Sequence, residues 1–463
     1  MTVAEATSPA VGAEWLLERI TGRGAHDLAD GMERLITTGE LAVGAQLPTI
    51  RELAKAAGVS VGTVLTAWNR LREAGAIETR RRGGTIVRPH LASRPSASSA
   101  RGRDDWAALD FQQGAPDRAL QPDLSAALLG SLSAPNLNVF GREYMTDALH
   151  DAVAPSWPFA PEAWTTAGGG TEALLLATAA AAAPGSRVAI DQPASPGFLE
   201  TLRDLELTPV PVETDASGPT AAALEQALAA GAVAFVYQPG APFAVDHAVT
   251  ADRVAELAVV LGRAEHAHVA VVEDDSIGPL AAVEPPTLGR ALEGRVLRVR
   301  SYCKAYGIDV RTSVIAGPRS LVDRTIALRS HGVGSNSRIL QNTLAFLIGS
   351  ADAAASVAAA RGHYARRREL LAGALKERGL TVRGGPDGIV LWVEVADETD
   401  ALVSLAARGI LAGAGSKSFA AHPARDLIRL SPLQLDENDP AAFEHLADAV
   451  RGAANGGRRE FFD

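Results

Sequence analysis

The sequence predicts an α/β protein in two parts: a small helical domain over residues 12–90 and a large, mostly parallel sheet domain over 107–463, with a smaller α+β lobe at its C-terminal end. Three observations carry this. Between residues 164 and 316, short apolar runs alternate with Ala/Leu-rich stretches of helical length, the pattern of strands linked by crossover helices. Before residue 90, two short capped helical stretches lead into a basic hairpin. Between the two parts, residues 91–106 are rich in Ser, Arg, Pro and Ala and have no period, which reads as a flexible linker.

Bulk properties narrow the classes. The chain has 463 residues and a net charge of −10, which argues against a protein that coats nucleic acid over its whole surface but leaves room for a local basic patch. No run of eighteen apolar residues exists, and the Ala-rich stretch 173–183 is too short for a bilayer, so no membrane partner is expected. The first residues, MTVAEATSPAVGAEW, lack a basic region followed by an apolar one, and no signal peptide is read. The single cysteine, Cys303, excludes an intramolecular disulfide and suits a cytoplasmic protein.

In the first part, residues 28–38 form a helix and Gly44 to Pro48 a turn. Thr49 caps a helix over 50–57, Gly58-Val59-Ser60 is a tight turn, and Ser60 caps a second helix running to Glu73. Arg80, Arg81, Arg82 and Gly83 then lead through a glycine turn into Thr85-Ile86-Val87, a basic hairpin. Two helices joined by a short turn and followed by such a hairpin make a winged helix-turn-helix. Ser60 and Thr63, at the start of the second helix, can meet phosphates or base edges. Arg51 is placed for the DNA backbone, and Arg80, Arg81, Arg82 and Gly83 form a wing suited to the minor groove.

In the second part, strands are expected at 164–167, 188–191, 209–212, 233–238, 269–274, 296–300 and 313–316, with helices at 171–183, 220–230 and 250–265. A long helix over 351–378 precedes the C-terminal lobe, which has a strand at 389–395 and a helix at 441–451. No internal repeat and no metal-ligand cluster appears, so no metal is expected.

The chemistry centres on residues 296–311, VLRVRSYCKAYGIDVR. A strand ends at a hydroxyl, Ser301, with Lys304 and Arg311 beyond it. An amine there can form a Schiff base with a phosphorylated aldehyde while the hydroxyl and the guanidinium hold its phosphate. Upstream, His268 to Asp275 is an apolar run ending in three carboxylates, a buried strand that delivers acids at its C-terminal end. Further upstream, Gly168-Gly169-Gly170-Thr171 opens an Ala/Leu-rich helix, an anion cradle of backbone amides.

Glycine cradle, acid at a strand end and lysine after the next strand together resemble the fold-type I aminotransferases, which use pyridoxal 5'-phosphate (PLP). The string Gly39-Glu40-Leu41, Leu47-Pro48-Thr49-Ile50-Arg51-Glu52-Leu53-Ala54 and Gly58-Val59-Ser60-Val61-Gly62-Thr63-Val64 resembles the GntR family of bacterial regulators. That family usually carries arginine where Val61 stands, and some members carry another at Leu65. The order of the two domains is that of the MocR subfamily of GntR regulators. The resemblance implies a transcriptional regulator that binds DNA as a head-to-tail homodimer and senses PLP, or an amino-bearing small-molecule effector, through an aminotransferase-like domain used for sensing.

Carried over residue by residue, Lys304 matches the Schiff-base lysine and Asp274 the acid that pairs with the pyridine nitrogen, with Asp275 the alternative one residue on. Ser301 and Arg311 match phosphate ligands, joined by Gly170 and Thr171. Arg429 matches the arginine that grips a substrate carboxylate. Two cofactor-facing positions depart. Ser195 stands where the family stacks an aromatic on the ring, and Ser276 where it places a tyrosine. The usual polar residue near Ala241 is missing, and residues 140–144 stray from the usual pattern. The covalent link is expected to persist and tuned amino transfer to be lost. Two other readings stay open: a working aminotransferase, and a pocket turned to a ligand other than PLP.

Overall fold

The computed structural model describes residues 11–37, 40–42, 44–73, 76–80, 84–87, 109–330, 332, 334–386, 388–421 and 423–454. The chain divides into two compact units at residue 107. Among the described residues, no single helix is long and apolar enough to cross a membrane.

The first unit holds four helices, Ala13–Arg19, Ala25–Thr37, Ile50–Ala57 and Val61–Glu73, and a three-stranded antiparallel sheet. Its local signals act as their chemistry dictates. Thr49 accepts from the amide of Glu52 at 3.2 Å while the Glu52 carboxylate accepts from the Thr49 amide at 2.8 Å, a reciprocal cap on Ile50–Ala57. Gly58 ends that helix at φ 66, a left-handed position that glycine takes without strain. Ser60 Oγ then accepts from the Thr63 amide at 3.0 Å and so caps Val61–Glu73. Leu28, Met32, Leu53, Val64, Trp68 and Leu71 fill the core between the helices. One expectation changes. Gln46–Leu47, read as part of a turn, is a strand pairing with Gly84–Val87, which in turn pairs with Ile77–Arg80. The tip residues Arg81, Arg82 and Gly83 lie outside the described residues.

The second unit is built on a seven-stranded sheet in the order Ala163–Ala167, Ser313–Gly317, Val296–Ser301, Ala270–Asp275, Ala232–Tyr237, Arg187–Asp191, Thr208–Val212. All neighbours are parallel except Ser313–Gly317, which runs against both of its partners. The parallel strands therefore end side by side at Asp191, Tyr237, Asp275 and Ser301. The segments that follow them meet along one edge, where open α/β sheets bind ligands. Apolar clusters lie against the sheet: Leu174, Leu176, Ala177 and Leu202 pack with Ile190, Val236 and Leu297, while Leu224, Leu257 and Leu261 pack with Phe235 and Val271.

The C-terminal lobe is a four-stranded antiparallel sheet, Val382–Arg383, Leu391–Glu394, Leu427–Leu430 and Gly413–Ala414, packed on the helices Ala351–Glu377 and Pro440–Ala454. Leu371, Leu375, Val393, Ile428, Leu446 and Val450 form its core. Helices Arg319–Leu328 and Arg338–Gly349 were not read from the sequence, although the first carries Arg319, Ser320, Asp323 and Arg324 on one exposed face at helical spacing.

Candidate functional site

The three acids that end Ala270–Asp275 are sorted by the pleat, because successive strand side chains point to opposite faces. Glu273 and Asp275 share one face with Arg298 and Arg300 of the neighbouring strand. Arg298 bonds Glu273 at 2.9 Å and Asp275 at 2.9 Å, and Arg300 Nε donates to Asp275 at 2.6 Å, all of them buried. Burial pushes the Asp275 carboxyl up, but the two guanidinium groups hold it below the usual carboxylate range. Asp275 is thus spent on the far side of the sheet. The one-residue alternative in the sequence reading falls.

Asp274 takes the other face, where Ser195 and Lys304 are its neighbours. Ser195 Oγ donates to Asp274 Oδ2 at 2.7 Å and also reaches Gln238 Oε1 at 3.2 Å. Burial raises the Asp274 carboxyl above its ordinary value, opposed by the Ser195 bond and the nearby Lys304 charge. Lys304 sits on the short helix Cys303–Tyr306 just past Ser301, and its Nζ donates to the Ser276 carbonyl at 3.0 Å. The Ser276 hydroxyl is buried beside Asp274 and also opposes the rise of its carboxyl.

Beside the lysine is an anion cradle. Helix Gly170–Ala181 starts at Gly169, whose φ of 118 excludes most side chains. A Cβ on Gly170 would stand 3.1 Å from Ser301 Oγ, and one on Gly169 would stand 3.8 Å from the Arg311 guanidinium. Helix amides, the Ser301 hydroxyl and an exposed guanidinium thus converge, with Thr171 exposed on the helix's first turn. Arg311 forms no ion pair among the described residues. The cradle suits a phosphate.

Arg429, in strand Leu427–Leu430, is buried against the Trp392 ring, 5.8 Å from its centroid. Its Nη1 donates to Ser418 Oγ at 2.9 Å and its Nη2 to the Gln112 carbonyl at 3.1 Å, while Nε has no partner. No carboxylate among the described residues pairs with it, and burial pulls its pKa down to about 10, with the Glu200 charge opposing. A desolvated guanidinium with a free N–H is a receptor for a carboxylate.

Two buried groups were missed by sequence reasoning. The Asp191 carboxylate accepts from the Gln238 amide at 2.9 Å, and the Gln238 side chain donates to the Pro193 carbonyl at 3.0 Å. Burial pushes the Asp191 carboxyl up to about 7 despite the Gln238 amide, and the Asp274 charge adds to the rise. The signal was present: Asp191 is an acid at a strand end, the pattern that exposed Asp274. The Ala194 amide bonds the Ser418 carbonyl at 2.7 Å, joining the Ser195 segment to the segment that holds Arg429.

In the first unit, Ser60 Oγ also bonds Thr63 Oγ1 at 2.8 Å, so both hydroxyls are part of the cap at the start of the recognition helix. Arg51 is exposed and unpaired among the described residues, and Arg80 lies on the strand Ile77–Arg80.

Residues 108–443 match the family of class I and II aminotransferases, and residues 24–87 match bacterial regulatory proteins of the gntR family. The chain is 30% identical over 440 residues to the vitamin B6 salvage pathway transcriptional repressor PtsJ of Salmonella typhimurium, covering 92% of this chain and 99% of that one. It is 26% identical over 474 residues to the HTH-type transcriptional regulator TauR of Rhodobacter capsulatus, covering 92% and 96%. Among solved structures, a Thermus thermophilus aspartate aminotransferase mutant superposes with a TM-score of 0.64 at 22% identity, over 74% of this chain and 97% of that one, a likeness of fold.

Proposed function

The chain belongs to the MocR-type regulators of the GntR family, DNA-binding transcription regulators with an aminotransferase-like domain, and from that premise we propose that this domain binds PLP through Lys304 and senses an amino-bearing carboxylate, or PLP itself. The observation that supports it most is that Lys304 lies beside Asp274 and just past Ser301, which with Gly170 and Arg311 forms the cradle at the same edge of the sheet.

The residues fit the cofactor at its two charged ends. PLP supplies, when bound, an aldehyde carbon that takes up amines and a ring that withdraws electrons. Lys304 provides the attaching amine. Asp274, held by Ser195, accepts a hydrogen bond from a ring N–H and favours its protonated form. The amides of Gly170 and Thr171, the Ser301 hydroxyl and Arg311 neutralise and orient the phosphate. Arg429 holds the carboxylate of an effector whose amine competes with Lys304, and the linker passes the result to the DNA-reading helices. The ring face is bare where an aromatic is replaced by Ser195. That favours a sensor over an enzyme, since stacking contributes about 0.5–1.5 kcal/mol beyond buried area.

We also propose a homodimer. Leu128, Leu129 and Leu132 expose apolar surface beside Phe346, which packs at Gly130, and Val139 and Phe140 are exposed in the loop that follows, surface suited to a second copy. Sedimentation at micromolar concentration checks it, and a monomeric mass rejects it.

The central test compares the visible absorption of purified protein after incubation with PLP with that of Lys304→Ala. A coloured wild type and a colourless variant are expected. Two colourless proteins end the PLP reading and leave a regulator that binds another ligand in the same pocket.

A further inference from the structure

Helix Val61–Glu73 buries one side and leaves the other open. Val64, Ala67, Trp68 and Leu71 fill the core of the first unit. Val61, Leu65 and Asn69, spaced at i, i+4 and i+8, share the outward face and are exposed. The polar groups beside them are already engaged. Ser60 Oγ and Thr63 Oγ1 bond each other, Thr66 Oγ1 donates to the Gly62 carbonyl at 2.9 Å, and the Asn69 side-chain oxygen accepts from Arg72. Arg70 is held by Asp30 at 2.7 Å.

The front of this helix therefore offers two bare aliphatic side chains, Val61 and Leu65. On an ordinary surface helix such a pair carries no message. On the second helix of a gntR-type helix-turn-helix it stands where the chain enters the major groove. The surroundings suit DNA: Arg51 and Lys55, on the helix Ile50–Ala57 packed against this one, are exposed cations that match phosphates.

We propose that Val61 and Leu65 read thymine, each lying against the C5-methyl group of a base, so that the operator carries A·T pairs where these two residues land. That methyl is the apolar group on the major-groove edge of the bases. Guanine and cytosine are rejected at the same positions, because an aliphatic group set against O6, N7 or N4–H displaces water and returns no hydrogen bond. Attraction to one edge and exclusion of the other act together. The contact involves no ion, so it discriminates between sequences without adding to the salt dependence that Arg51 and Lys55 on phosphates would supply. It is independent of what the large domain binds.

The test selects the tightest-binding duplex from a random-sequence DNA library with the full-length chain, with and without PLP. That duplex is then remade with deoxyuridine for thymine, which deletes the methyl groups and keeps every hydrogen bond. The deoxyuridine duplex should bind about fourfold weaker or more, the worth of one buried methyl, at an unchanged slope of log K against log salt. V61A/L65A truncates two exposed side chains and leaves the core intact. It should bind the two duplexes within about twofold of each other, which controls for any effect of deoxyuridine on the duplex itself. Failure to bind any duplex would deny DNA reading altogether. Selected duplexes that share no A·T pair, equal binding of the thymine and deoxyuridine forms by the wild type, or an equal loss in V61A/L65A would overturn the methyl contact.

Discussion

Ser195 and Asp274, 79 residues apart in the chain, are joined by a hydrogen bond of 2.7 Å from the serine hydroxyl to Oδ2 of the acid. The segment that follows strand Arg187–Asp191 thus anchors the acid of strand Ala270–Asp275. The bond favours the ionised carboxylate against the burial that raises its pKa.

Removing that donor should therefore cost cofactor affinity. In Ser195→Ala the Asp274 carboxyl rises further, and less of it is ionised to face a protonated ring nitrogen. A neutral hydrogen bond contributes about 0.5–1.5 kcal/mol, so PLP binding followed by absorbance should weaken by about 3- to 10-fold. Unchanged affinity means the bond does not hold the acid in its working form.

Asp191 predicts a pH dependence. Its folded-state pKa of about 7 lies above the ordinary value of 3.8. The folded state keeps this proton when the unfolded chain has lost it, so the stabilisation is complete below about pH 4 and disappears as pH rises towards 7. Asp191→Asn retains an oxygen for the Gln238 amide and cannot ionise. Its melting temperature should pull ahead of wild type progressively between pH 4 and 8. A constant difference across that range would show that Asp191 does not titrate there.

Much of this arrangement was legible beforehand. Strand-length runs, mostly apolar but alternating apolar with cationic residues over 297–300, marked the seven strands of the large sheet to within a residue or so, because a sheet packed on both faces keeps most of its strand residues apolar. Asp274 could be preferred to Asp275 from motif position, but only Arg298 and Arg300 on the neighbouring strand show why Asp275 is unavailable. Strand Gln46–Leu47 was hidden because its partners, Ile86 and Thr85, lie about forty residues away, while Gly44 and Pro48 gave strong local turn signals. The Ser195 bond and the orphaned Nε of Arg429 are consequences of tertiary placement, which no local pattern encodes.

Arg429 should be a stability liability. A buried guanidinium without a counter-ion bears a desolvation cost that two neutral hydrogen bonds offset only in part. Replacing it by Met, of similar length and apolar, should raise stability by about 1 kcal/mol, read as a higher melting temperature. The same change should abolish any shift in melting temperature that amino acids induce in the wild type. A less stable Arg429→Met protein would identify the arginine as a structural brace.

The recognition helix should read DNA with few cations of its own. Val61 and Leu65 are exposed on it at 52% and 42%, while Arg70 is engaged by Asp30 and His26 and Arg72 by Asn69. Arg51 and Lys55, on the preceding helix, are exposed cations that no described residue neutralises. A phosphate contact carries no base information, so Arg51→Ala should weaken operator and scrambled duplexes by the same factor and flatten the salt dependence of log K by about 0.9. Val61→Arg adds a cation at the first residue of the helix and should tighten binding and steepen that slope by a similar amount. If Arg51→Ala instead relaxes discrimination between the two duplexes at constant salt slope, the arginine reads bases and the backbone is anchored elsewhere.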